Sequence, residues 1–334
     1  MSQILITGGA GFIGANAAKY FSDLGHNVYL FDNLSRPTGM LNVSWLSESG
    51  CTTQLITGDL RNWSDVSDAF RRVEPDYILH LGAQVAVTTS VKSPREDFET
   101  NALGTLNVLE ALRLLRPEAR LIFSSTNKVY GALDGFEIRE EDERISVPDL
   151  AGVSESTLLD FYSPYGCSKG AADQYVADYR RIYGLDAISV RQSCIYGPRQ
   201  FGVEDQGWLS WFAIQAIREK SVTIYGSGKQ VRDVLHVQDL LELYERILST
   251  SAWPDGAINA GGGSGNSLSL LEYLGLLEEK FGLPLQHSFA KARPGDQLWF
   301  VSDNTKASQA FGWSPTTTID EGLKGLIEFS RSLG

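Results

Sequence analysis

The chain has 334 residues, enough for one large or two modest domains with an ample core. Its 43% hydrophobic and 21% charged residues match an ordinary water-soluble globular protein. A net charge of -12 excludes a general nucleic-acid surface, which needs a basic field. The three cysteines, Cys51, Cys167 and Cys194, are odd in number and lack metal spacing, so reduced thiols of a cytoplasmic protein are expected and no metal. No apolar run reaches the roughly 18 residues that span a membrane. The first strand begins at Ile4, so no leader is expected, and no membrane partner.

Strands and helices alternate through the first half. ILIT (4–7) reads as a strand, FIGANAAKYFSDLG (12–25) as a helix and NVYLFD (27–32) as the second strand. TTQLITGD (52–59), DYILHLGA (76–83) and RLIFSST (120–126) continue the series. This rhythm predicts an α/β fold with a doubly wound parallel sheet covered on both faces. The helix 100–115 is apolar nearly all round, and the helix 169–183 carries a stripe of Ala172, Tyr175, Val176, Tyr179 and Ile182. One face of the first should cover the sheet. The surplus predicts a homodimer or homotetramer through these two helices. After Val190 the rhythm breaks into shorter elements, read as a smaller C-terminal α/β lobe that takes the substrate. The expected division is 1–192 with 231–257, and 193–230 with 258–334. GGGSG (261–265) lacks the Lys-Ser/Thr ending of a phosphate loop and reads as a structural turn. Ser267 is read as the N-cap of the helix that follows.

GGAGFIG (8–14) lies between the first strand and its helix. Gly8, Gly11 and Gly14 let the turn close and the backbone approach a pyrophosphate at a helix N-terminus. Asp32 ends the next strand, about 20 residues on, where an acid binds a ribose hydroxyl and repels a 2′-phosphate; this favours NAD over NADP. Asp59 with Leu60, and Gly82 with Ala83, end strands on the same edge. Asp59 is expected at the adenine. Tyr165 and Lys169, in SPYGCSK, are spaced i, i+4 and share a helix face. An ammonium and a positive nicotinamide would favour the phenolate of Tyr165, making it a base for a hydroxyl proton.

GGAGFIG, YGCSK and SSTNKVYG (124–131) together resemble the extended short-chain dehydrogenase/reductase family, specifically its nucleotide-sugar epimerases and dehydratases, over essentially the whole chain. The resemblance implies a Rossmann domain with bound NAD and a nucleotide-diphosphate sugar, CDP- or UDP-linked, as substrate. It assigns catalysis to Thr126, Tyr165 and Lys169. The implied cofactor set adds Phe12, Ile13, Asn33, Leu81 and Asn101 to the residues above. In VRDVLHVQDL (231–240) and RPGDQ (293–297), Arg232 and Arg293 would meet diphosphate, and Asp296 a ribose hydroxyl.

In the family's 4,6-dehydratases an Asp-Glu pair stands where this chain has Asn127-Lys128. An amide cannot act as a general acid, and an ammonium is a poor base without a large pKa shift. The dehydratase reading therefore falls behind. STNKVYG, SPYGCSKGAADQY, DQGW (205–208), GKQVRDVLH (228–236) and NSLSLLE (266–272) resemble the CDP-paratose 2-epimerase branch, which inverts C2 through a transient 2-keto sugar. Inversion at C4 of a UDP-sugar stays as the alternative. Ser125 is expected to orient the hydroxyl with Thr126. Asn127 and Lys128 either donate to sugar oxygens, with Lys128 alternatively steadying a developing oxyanion, or bond a neighbouring loop. Gln206 and Trp208 form either a lid or part of an aromatic core. Gln192, Ser193 and Arg199 are placed at cofactor and substrate phosphates. A non-enzymatic NAD sensor is disfavoured, because the chain keeps Tyr165, Lys169 and Thr126.

Overall fold

The computed structural model describes residues 1–293 and 295–333. The chain separates into two compact units: Met1–Thr126 with Ser163–Arg191 and Leu241–Ile258, and Asn127–Tyr162 with Gln192–Leu240 and Asn259–Gly334.

In the first unit, β1 (Gln3–Thr7) is followed by α1 (Phe12–Asp23), then β2 (Asn27–Asp32), β3 (Thr53–Thr57), β4 (Tyr77–His80) and β5 (Arg120–Thr126). β1 pairs in parallel with β2 and β4, and β4 with β5. The seven-stranded parallel sheet runs in the order Ile258–Ala260, Ala187–Gln192, β5, β4, β1, β2, β3. Strand order reverses at β1 and β4, so their carboxyl ends flank a crevice where such sheets bind ligands. The central strands β1 and β4 are largely apolar and buried, as expected of a sheet that helices cover on both faces. On one face Leu5, Phe31, Ile78, Leu121 and Phe123 pack with Phe70, Leu109 and Val176. Those last three lie on helices Trp63–Val73, Gly104–Leu115 and Ser163–Tyr183.

Helix 100–115 differs from its expectation at its start. Glu99–Leu103 is a π-helical turn and the α-helix begins at Gly104. Its apolar surplus is partly used within the unit, since Val108, Leu109 and Leu112 share a core with Ala172, Val176 and Tyr179. Leu114, Tyr175 and Ile182 remain exposed.

The second unit centres on strand Val231–His236. It pairs in parallel with Cys194–Tyr196 and Trp299–Phe300, and antiparallel with Ser267–Ser269. Residues 127–162 and 231–240, assigned from sequence to the dinucleotide-binding part, pack here instead. The reason is a core in which Val129, Tyr130, Ile145 and Val153 join Val231, Trp299 and Phe300. The N-cap read at Ser267 also shifts. Ser267 opens a strand, and Ser269 caps helix Leu270–Phe281 in a reciprocal bond with Glu272. Among the described residues no helix is long and apolar enough to cross a membrane.

Candidate active site

The turn after β1 explains its glycines. Gly8 has φ +66°, and a Cβ there would lie 2.7 Å from the Gly82 backbone. Only two glycines allow the segments after β1 and β4 to come this close. A Cβ on Gly14 would lie 2.3 Å from the Gly8 carbonyl oxygen, so this glycine seats α1 on the turn. Gly11 is the N-cap of α1 and has no side chain with which to cap it, and Phe12 and Ile13 follow. The first-turn N–H groups and helix dipole thus suit a pyrophosphate.

Asp32, at the end of β2, accepts the Ala10 N–H at 3.0 Å and the Leu34 N–H at 2.8 Å, one on each oxygen. Both oxygens keep a lone pair for ribose hydroxyls. The Asp59 carboxylate is held to about 2 by Arg61, whose Nε and guanidinium approach at 2.9 and 2.7 Å, with Asn33 adding a bond at 3.2 Å. Leu60 is buried against Gly82. The Leu81 N–H donates to the Thr7 carbonyl, and Ala83 follows on the same segment. Asn101 lies in the π-helical turn with its amide committed inside the protein. It accepts from the Gln84 N–H at 2.8 Å and donates to the Gln84 carbonyl at 3.0 Å. It therefore clamps the segment after Ala83.

Tyr165 and Lys169 lie one turn apart on helix Ser163–Tyr183, both buried. Thr126 ends β5 and hydrogen-bonds Tyr165. Burial pushes the phenol up to about 12; the Thr126 bond opposes the rise and Asp97 adds to it. Lys169 Nζ donates to the Ser124 carbonyl at 2.5 Å and sits 4.1 Å from the centre of the Phe123 ring. Burial lowers it to about 7, against the fields of Asp173 and Asp97. Desolvation thus dominates at Tyr165, where the cation that lowers the phenol is Arg36 and not Lys169.

Ser125 faces a different partner from the one expected. Its hydroxyl donates to Asp173 at 2.6 Å, and Arg191 clamps the same carboxylate at 2.8 and 3.2 Å. Alternate residues of a strand point to opposite faces, which is why Ser125 and Thr126 part company. Nothing in the motif spacing announced Asp97, Ser168, Asp173 or Arg191. Only Arg191, a charge inside the apolar strand run AISVR, carried a hint.

In the second unit three residues far apart in sequence meet. Arg232, 8% exposed, donates to Asp296 at 2.8 Å and to the Gln297 and Val231 carbonyls at 2.6 and 2.8 Å. Lys128 Nζ lies 3.6 Å from the same Asp296 oxygen. Burial, and then the Arg232 charge, lower Lys128 to about 8. Asn127 is buried and its carbonyl accepts from Gln297 at 3.4 Å.

Arg293 pairs with Asp205 at 3.1 Å and lies 3.9 Å from the Tyr225 ring centre. Pro294 of the RPGDQ segment lies outside the described residues. Gln192 is buried, and the Ser193 hydroxyl is taken by Asp233. Arg199 lies over Phe201 and Phe329. Gln206 closes a tight turn with Val203. Trp208 meets Tyr273 and Phe212 edge-on, as part of an aromatic core. The GGGSG segment is a turn held by Asp233, which accepts the Gly263 N–H at 3.0 Å.

Residues 5–326 match the family model described as GDP-mannose 4,6 dehydratase. The chain is 44% identical to the CDP-paratose 2-epimerase of Salmonella typhi, covering 99% of this chain and all of that one. The UDP-glucose 4-epimerase of Thermus thermophilus, solved in complex with NAD, superposes with a TM-score of 0.83 at 31% identity, covering 99% of both chains. The UDP-glucose 4-epimerase of Thermotoga maritima, solved with UDP-glucose, gives 0.84 at 28% identity, again over 99% of both. The turn glycines, the acid closing β2 and the buried Tyr165–Thr126 bond are therefore carried on a chain that belongs, over nearly its whole length, to the GDP-mannose 4,6-dehydratase family.

Proposed function

We propose that the chain is an NAD-dependent nucleotide-sugar epimerase that inverts C2 of a CDP-linked dideoxyhexose, interconverting CDP-paratose and CDP-tyvelose. The observation that carries the choice is the 44% identity to a CDP-paratose 2-epimerase across both whole chains. Gly8, Gly11, Gly14, Phe12, Ile13 and Asp32 would hold the dinucleotide, with Asp59, Leu60 and Gly82 along its adenosine half. These residues fit the group, since the glycine turn leaves no room for a Cβ and Asp32 presents free lone pairs.

Bound there, NAD would supply the hydride acceptor and donor that inversion at C2 requires. The protein's own residues handle the proton. Tyr165, as phenolate, takes it from the C2 hydroxyl and gives it back on re-reduction. Thr126 orients that hydroxyl through its bond to Tyr165. Lys169 supplies the positive charge that favours the phenolate. The sugar is a 2-ketone between the two transfers. The second unit is read as the nucleotide-sugar lobe. Arg232 and Arg293 serve the diphosphate, and Lys128 the sugar or its phosphate.

The second reading, a UDP-sugar 4-epimerase, is favoured by the solved neighbours. A dehydratase lacks support at Asn127, whose amide cannot act as its general acid. The protein is read as cytoplasmic and as a homo-oligomer through the exposed Leu114, Tyr175 and Ile182. A single sedimentation boundary at monomer mass would remove the oligomer. The deciding experiment incubates the protein with CDP-paratose, CDP-glucose and UDP-glucose, each deuterated at C2 or C4, and locates the inverted carbon by NMR. Inversion at C2 of CDP-paratose is expected; inversion at C4 alone overturns the proposal.

A further inference from the structure

The first unit holds a buried carboxylate that the proposed chemistry does not use. Asp97 is 1% exposed, on the short helix Pro94–Phe98. Its oxygens accept from neutral groups, Ser168 Oγ at 2.5 Å and Asn101 Nδ2 at 3.2 Å. A buried carboxylate on neutral donors is unfavourable unless a positive charge is near. That charge is Lys169, the residue after Ser168. Each stabilises the other's ionised form.

The surrounding charges single Asp97 out. Asp173, on the same helix, also faces Lys169, but the guanidinium of Arg191, on strand Ala187–Gln192, neutralises it at 2.8 and 3.2 Å. His80 of β4 faces Lys169 as a neutral imidazole, held near 3 by burial and bonded to the Thr7 and Thr105 hydroxyls. Tyr165 faces Asp97 and, from the segment after β2, Arg36. Among the described residues facing this pair, Asp97 is the one carboxylate without a cation hydrogen-bonded to it.

We infer that Asp97 is a positioning residue for the reaction: its buried charge keeps Lys169 an ammonium, and its hydrogen bond to Ser168 fixes the turn that carries Lys169. This rests on the proposed roles of Tyr165 and Lys169. The sign follows from the neighbours. Lys169 stands at about 7 with Asp97 raising it, so removing that charge lowers it further. Asp97 also raises Tyr165, so the phenol falls as well. Both limbs of the pH profile move to lower pH.

The test compares Asp97→Asn with the unaltered protein in kcat/KM against pH. It also follows the Lys169 Nζ by ¹⁵N NMR, assigned through Lys169→Arg, which needs no turnover. A shift of roughly half to one pH unit downward is expected in both. Ser168→Ala removes the hydrogen bond but keeps the charge; it should slow the reaction with both limbs unmoved. If Asp97→Asn does not fold, Asp97→Ser deletes the charge with a smaller hydrogen-bonding side chain and gives the same readings. A Lys169 titration unmoved by loss of the charge, or moved equally by Ser168→Ala, overturns the inference. A lysine shift in a protein that epimerises no nucleotide sugar would support it while sinking the proposed function.

Discussion

The two units balance their buried charges in different ways. Around Lys169 the positive and negative groups match: Arg191 answers Asp173, and Lys169 answers Asp97. Around Lys128 they do not, because Lys128 and Arg232 share one oxygen of Asp296. A matched cluster is closed and holds geometry. A cluster with two cations on one carboxylate keeps a surplus positive charge, which suits an incoming phosphate. On this reading the first cluster serves the reacting centre and the second serves anion binding.

The sharpest cut is at the reacting centre. Tyr165→Phe removes the proposed base while keeping the ring that fills its buried place. Turnover should fall about a thousand-fold, as loss of a general base does, while NAD binding, followed by tryptophan fluorescence, stays near its original strength. Turnover that survived nearly intact would remove Tyr165 from the chemistry.

The next cut tests whether the first cluster is closed. Arg191→Met leaves Asp173 buried without its cation, which should cost about 3 kcal/mol of stability, read from the denaturant midpoint. The comparable Arg232→Met should cost less, since Asp296 is partly exposed and keeps Lys128 as a partner. Equal losses in the two variants would erase the contrast between the units.

The same contrast governs what could be read without a structure. NVYLFD and RLIFSST form strands at the expected residues, because short apolar runs between breakers carry their own signal. The glycine turn and the Tyr165–Lys169 pair are local patterns too, and they lie where the spacing placed them. The π-helical turn at Glu99–Leu103 left no trace, since its residues suit an α-helix equally. Ser125 was misread because identity alone does not say that its hydroxyl turns to Asp173. Lys128, Arg232 and Asp296 are separated by more than a hundred and by sixty-four residues along the chain, so their shared ion pair is a product of tertiary packing. Local chemistry was legible; chemistry assembled from distant segments was not.

The smallest effect probes that distant assembly. Lys128 stands at about 8, lowered first by burial and then by Arg232, while Asp296 and Cys194 raise it. It is therefore charged below pH 8 and loses its charge as the pH rises through that value. If it serves an anion, affinity for cytidine diphosphate should be flat from pH 7 to 7.5 and weaken several-fold by pH 9. Lys128→Met should bind about ten-fold more weakly at pH 7 and show no such fall, since one charge-assisted bond is worth roughly 1.5 kcal/mol. Lys128→Arg cannot lose its proton in this range and should stay flat throughout. Calorimetric dissociation constants, measured without turnover, keep this effect apart from the Lys169 limb. Affinities that ignore both pH and the loss of Lys128 would assign its ammonium to holding Asp296 alone, and the second cluster would then be as closed as the first.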